Sequence, residues 1–215
     1  MTEIMTPSQF SPMTDEQADK LVAQFRAAVQ KKRRDFGTEA AQAALGTDNL
    51  GMRLLEPFRL LVEANSDLIV RRVSVNRTRD GMAAIDATAR VKYVDGKVVK
   101  AMPKGEGEEV DVTFFKPKPW EYTRPGYMSD ADLEKALARR TLKASDPYSV
   151  DAVNEDDPAF ADDHPHGTHW QDENGNWCFA TFDRWRDDRR YVFVDRHDHD
   201  WDGLWWFAGL AQVSA

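Results

Sequence analysis

Apolar residues recur every third or fourth position through the first third of the chain and every second position through much of the rest. Leu21, Val22, Phe25 and Val29 keep helical spacing behind a Thr14–Gln17 capping box, and Gly37 offers a left-handed stop. "TEAAQAALG" predicts a second helix, capped by Thr38 and ended by Gly46. Leu54, Leu55, Phe58, Leu61 and Val62 mark one face of a third, which Pro57 should kink or reopen at a first helical position.

From Leu68 the period falls to two. "MAAIDATARVKYV" alternates, with Asp80-Gly81 before it and Asp95-Gly96 after it, dipeptides that tolerate the positive φ of tight hairpins. With "LIVRRVSVNRT", "KVVKAM" and "EVDVTFF" it predicts a four-stranded antiparallel meander over residues 67–116. Prolines then forbid regular structure over 117–126. A helix opens at Ser129, with Asp132 completing a capping box, and runs to Lys143. Residues 144–166 are acidic and dotted with proline, the composition of a long surface loop. Asn174-Gly175, "RDDR" (186–189) and Asp202-Gly203 then punctuate a second meander. The expected class is α+β: N-terminal helices, then two four-stranded antiparallel meanders separated by a helix and a long acidic loop. Residues 1–13 read as a flexible or docked arm and 14–215 as a single compact domain. Residues 14–116 and 127–215 are possible sub-units joined by the linker 117–126.

Charge narrows the partners. The formal net charge is −8, whereas a non-specific nucleic-acid binder draws its affinity from basic side chains, so nucleic acid is not an expected partner. The one dense basic run, Lys31–Arg34, falls in the last turn of the first helix, where positive charge suits the helix dipole. No apolar run is long enough to span a bilayer, and "MTEIMTPSQFSPM" lacks the basic and apolar regions of a secretory signal, so no membrane is expected. The single cysteine, Cys178, allows no internal disulfide.

Chemistry concentrates late. All five histidines (His164, His166, His169, His197, His199) and six of the seven tryptophans lie in the last quarter of the chain. Two-residue turns at 174–175 and 187–188 would set His169 opposite Ala180 and Ala180 opposite Asp195, bringing His169, Cys178, Asp195 and His197 to one face of the sheet. A one-residue slip would reverse a strand's faces. Neither "HDHDWD" nor any other segment has the spacing of an established metal or nucleotide motif. Among carboxylates, Asp183, Asp195, Asp198 and Asp200 are the candidates for acid–base work. Trp177, Trp185, Trp201, Trp205 and Trp206 load the final sheet with aromatic area on both faces, the residue type that dominates interface hot spots.

The composite expectation is a non-enzymatic protein-binding or assembly subunit that uses those five tryptophans. It would be a viral or phage structural protein or an acidic inhibitor of a host factor, cytoplasmic or virion-borne, with a protein partner or self-association and no cofactor. One alternative is a metal-dependent hydrolase holding zinc or another divalent ion on His169, His197 and His199 with Asp195 or Asp202. Another is a small-ligand or glycan binder. Imidazoles converging with a carboxylate in a shielded pocket would move the balance toward catalysis.

Overall fold

The computed structural model describes residues 13–197 and 199–212; the expected arm, apart from Met13, and Asp198 lie outside them. The chain divides into two compact units, one ending at Ser66 and the other beginning at Asp67.

The first unit is helical. Helix α1 (Asp15–Lys32) starts from the capping box, with the Thr14 N–H donating to Gln17 Oε1 at 2.9 Å and the Gln17 N–H to Thr14 Oγ1 at 3.2 Å. A 3-10 turn follows at Arg33–Asp35, then α2 (Thr38–Leu45) and α3 (Leu50–Ala64), which carries Pro57 inside it. No residue of α1 or α2 is buried.

The second unit is built on one mixed sheet. Its strands are β1 (Leu68–Ser74), β2 (Val91–Val94), β3 (Glu109–Phe115), β5 (Leu142–Ala144), β6 (His166–Gln171), β7 (Trp177–Arg184), β8 (Arg190–Arg196) and β10 (Trp206–Ala211). The order is β1-β3-β10-β6-β7-β8-β2, and β5 joins β6 on the edge of β10 opposite β3. The β10–β6 and β8–β2 pairs are parallel and the rest antiparallel. A separate two-stranded ribbon pairs β4 (Tyr127–Met128) with β9 (Trp201–Asp202). Strands from both sides of the 117–126 connection therefore share one sheet, in place of two meanders.

Three segments depart from the expected elements, the first being the helix from Ser129, which ends at Arg139 in place of Lys143 and gives way to strand β5. "GMAAIDA" is helix α4 (Gly81–Ala87) and Gly96–Lys100 is helix α5, because Asp80 and Asp95 use their carboxylates to cap helix N-termini. The alternation here rested on alanines, which mark neither face of a strand and favour helix. Residues 144–166, expected as a surface loop, form α7 (Pro147–Asp156) and α8 (Phe160–Asp163), with Pro147 to Asn154 all buried. Two polar side chains of this stretch find partners within the fold: Asp146 takes Arg77 at 2.9 Å, and Asn154 meets both Arg90 (2.7 Å) and His166 (2.9 Å).

Each face of the sheet carries its own core. Helices α4, α5, α7 and α8 cover the side lined by Phe114, Phe182, Val192, Val194 and Ala208. Helix α6 (Asp130–Arg139) and the β4–β9 ribbon cover the other, against Phe115, Phe207 and Leu142. The buried Glu121 binds Arg140 at 2.7 and 2.8 Å and Arg139 at 3.2 Å, which ties the 3-10 turn at Pro119–Glu121 to the end of α6.

Candidate functional site

Helix α6 brings a carboxylate into contact with the sheet. Ser129 caps it by accepting the Asp132 N–H, and the Thr123 hydroxyl accepts the Ser129 N–H at 2.7 Å. Asp130 is thus held in the first turn, where the helix dipole favours negative charge. One turn later Glu134 points the same way, since residues four apart share a helix face.

Between these two carboxylates lies His169 of β6, 1% exposed. Its Nδ1–H donates to Asp130 Oδ1 at 2.6 Å and its Nε2–H to Glu134 Oε1 at 2.8 Å. With both carboxylates ionised, both ring nitrogens donate, which makes the ring an imidazolium. Burial works to lower its pKa, but the bonds and charges of Asp130 and Glu134 outweigh that and raise it. Trp177 stacks on the ring at 4.5 Å with an 11° interplanar angle, a favourable contact for a cation.

Asp130 serves two further donors. The His197 Nδ1–H reaches Oδ2 at 2.9 Å, and the Trp201 indole N–H reaches Oδ1 at 2.9 Å. Burial alone would raise the Asp130 carboxyl, yet bonds from His169, His197 and Trp201 hold it well below the usual carboxylate range. Trp201 is itself 3% exposed, with its ring 4.5 Å from His197 and edge-on to Phe179, Trp205 and Phe207. Among the described residues His197 Nε2 has no protein partner. The ring lines an open cleft of about 660 Å3 together with Arg124, Tyr127, Trp177, His199 and Asp200. Arg124 lies over the Tyr127 ring and meets Asp200 at 3.2 Å.

Register explains this convergence. The loop after β6 spans Asp172–Asn176 with Gly175 at φ +80°, and the loop after β7 spans Trp185–Arg189 with Asp188 at φ +62°. Each holds three residues between its closing pair, one in the left-handed region, in place of the expected two. His169 therefore pairs with Phe179 and Phe179 with Asp195. Each hairpin is offset by one residue, and the offsets cancel between β6 and β8. His169, Asp195 and His197 keep a common face, while Cys178 turns to the opposite, apolar side. There burial pushes its thiol pKa up.

The other sequence candidates scatter. His199 borders the cleft. Asp195 accepts from the Arg196 N–H, and Asp202 accepts from the Leu204 N–H in a turn; neither lines the cleft. Asp183 takes the Trp185 indole N–H at 2.7 Å. His166 is fully buried, accepts from Asn154 and donates to the His164 carbonyl, and burial brings its pKa down to about 3, so it is neutral. His164 packs between Phe160 and Trp206. Of the tryptophans, Trp201 is core, Trp177, Trp205 and Trp206 are partly buried, and Trp185 is 56% exposed.

Among the described residues, no group of three or more His, Cys, Asp or Glu side chains is arranged to hold a metal ion. In His169 both nitrogens already donate to carboxylates, which leaves no lone pair for a metal. Asp130 and Glu134 were not among the sequence candidates. Their signal was a like-charged pair four residues apart on one helix, an arrangement that costs energy unless a cation sits between them. Comparison with protein-family models, with curated proteins and with solved structures finds no match to this chain.

Proposed function

We propose that the chain binds a small polar molecule in the cleft at the start of α6 and moves a proton on it, with His197 as the base. The observation that carries this reading is the 2.9 Å bond from His197 Nδ1–H to Asp130. A carboxylate so placed fixes the tautomer, leaves the Nε2 lone pair available and stabilises the imidazolium once a proton arrives. Asp130 orients, His169 and Glu134 hold Asp130 in place, and Arg124 at the rim can take an anionic group in exchange for Asp200. A cleft of about 660 Å3 suits a small ligand. Neither Ser129, whose oxygen is committed to the helix cap, nor Cys178, on the opposite face, is placed to form a covalent intermediate.

The test is proton exchange. A panel of small hydroxy acids, keto acids and amides is incubated with the protein in heavy water, and loss of carbon-bound hydrogen is followed by NMR. A compound that exchanges, and whose exchange drops by about 10²–10⁴ in His197→Gln while binding persists, supports the reading. Exchange unchanged in that variant, or no compound binding at the cleft, overturns it.

A second reading, a subunit that binds other protein chains, is favoured by an aromatic row at the β2 edge. Tyr93 (58% exposed) stacks on Phe193 at 5.3 Å, and Phe193 on the exposed Trp185 at 5.9 Å. Capture of a defined partner that is lost on Tyr93→Ser/Trp185→Ser would favour it over the cleft.

A further inference from the structure

Helix α1 carries a feature that its own capping and dipole do not explain. Ala18, Val22, Phe25, Val29 and Lys32 follow one another at spacings of four and three, the seam of a two-stranded coiled coil. Val22 and Phe25 are 65% and 52% exposed, and Val29 is exposed as well. A shallow groove lined by Val22, Ala23 and Ala27, with Asp19, Arg26 and Gln30, runs along the adjoining surface.

Charge selects what lies on this face. The acidic residues Asp15, Glu16 and Asp19 occupy the start of the helix, and Lys31, Lys32, Arg33 and Arg34 occupy its end and the turn beyond it, where Asp35 pairs with Lys32 at 3.1 Å and leaves a basic excess. Each end suits the helix dipole taken alone. With apolar side chains exposed between them, the same ends also make the surface complementary to itself. A two-fold axis beside Phe25 sets Val22 of one copy against Val29 of the other, and the acidic start of each over the basic end of its mate. A parallel arrangement would bring like charges together at both ends.

We infer that two copies of this chain associate through antiparallel pairing of α1, an isologous interface centred on Phe25. The occupant of the exposed seam is a second copy of the chain.

The test uses the full chain in sedimentation experiments over a dilution series. Wild type is expected to pass from dimer to monomer on dilution, and Phe25→Glu to remain monomeric at every concentration. Two charge-reversed variants at positions in or beside the seam, Asp15→Lys/Asp19→Lys and Lys32→Glu/Arg33→Glu, should each self-associate at least about tenfold more weakly, equivalent to roughly 1.4 kcal/mol. Their equimolar mixture should regain wild-type association as a heterodimer. A dipole effect alone would persist in the mixture, so failure of rescue overturns the inference, as does a wild type that is monomeric throughout. Orientation is read by oxidation: chains carrying Ala18→Cys should cross-link to chains carrying Lys32→Cys in preference to their own kind. Preferential self-cross-linking would reverse the assignment.

Discussion

Replacing Asp130 by Asn probes the centre of the site. The amide keeps one acceptor oxygen but presents two N–H donors to a region where His169, His197 and Trp201 are already donors. At least one imidazole then faces a donor, and the His169 imidazolium loses one of its two counter-charges. Removing one partner of a buried ion pair costs about 3–5 kcal/mol. Asp130 borders an open cleft, so the lower end, about 3 kcal/mol, is expected. The loss also carries a pH signature. Burial tends to lower the His169 pKa, but Asp130 and Glu134 raise it above its ordinary value of 6.5. A basic group raised on folding contributes stability that is fully present below its unfolded pKa and is lost as pH rises through the folded pKa. Asp130 is depressed on folding, so its contribution is present above its unfolded value of 3.8 and is lost as pH falls further. The gap between wild type and Asp130→Asn should therefore be widest between those two limits, near pH 5–6, and narrow in both directions. Urea unfolding followed by tryptophan fluorescence measures it directly, with an unchanged m-value as the check on two-state behaviour. A gap below about 1 kcal/mol, or one that does not vary with pH, would reduce Asp130 to an ordinary charge at a helix start and refute the argument.

Three other substitutions and reactions probe the packing on the opposite face of the sheet. Asp151 on α7 has both carboxylate oxygens buried without a hydrogen-bond partner among the described residues, and burial, with Asp146 and Glu155 nearby, holds it well above the usual range. Its ionisation therefore opposes folding increasingly above its unfolded pKa of 3.8, so Asp151→Asn should raise the melting temperature at neutral pH, with the gain vanishing near pH 4. Cys178 is 1% exposed, and its thiol should resist a disulfide reagent in the native protein and titrate fully in denaturant; prompt native reaction would contradict its place on the apolar face. A Cβ at Gly81 would stand 2.4 Å from the Val99 carbonyl oxygen, so Gly81→Ala should cost about 1–3 kcal/mol in urea unfolding, and an unaffected variant would show that α4 and α5 pack otherwise.

The helices α1, α2, α3 and α6 were legible in the sequence because their signals are local, a 3.6-residue period and, for α1 and α6, the capping residues Thr14 and Ser129; their ends were less so, since Gly37 is extended and precedes α2 as its N-cap in place of Thr38, where a left-handed stop to α1 was expected. Residues 81–100 were not legible, because the same Asp-Gly pair serves a hairpin turn or a helix N-cap, and alanines cannot say which face they prefer. The acidic stretch after Lys143 misled for a different reason. Its polarity matches partners that lie far away in sequence, Arg77 for Asp146 and Arg90 for Asn154, and composition cannot distinguish a solvated carboxylate from a paired one. The like-charged Asp130 and Glu134, four residues apart, hinted at a cation between them, but Asp15 and Asp19 on α1 and Asp151 and Glu155 on α7 share that spacing, so it did not single out the site.

The relation between His169 and His197 was legible for a reason that says something about how such a site is specified. Side chains alternate along a strand, so whether residues on β6 and β8 share a face depends on whether the lengths of the two intervening loops sum to an even or an odd number, whatever each length is alone. Both loops hold three residues where two were expected, and the paired change leaves His169, Asp195 and His197 aligned while reversing every residue of β7. The strand that reversed is the one whose two faces are both apolar enough to bury, Phe179 on one side and Ala180 and Phe182 on the other. Hydrophobic pattern therefore tolerates either setting of β7, and the left-handed residues Gly175 and Asp188 decide between them. Two loop residues with positive φ, neither of them in the cleft, determine that Trp177 lies over the His169 imidazolium and that Cys178 faces away from it.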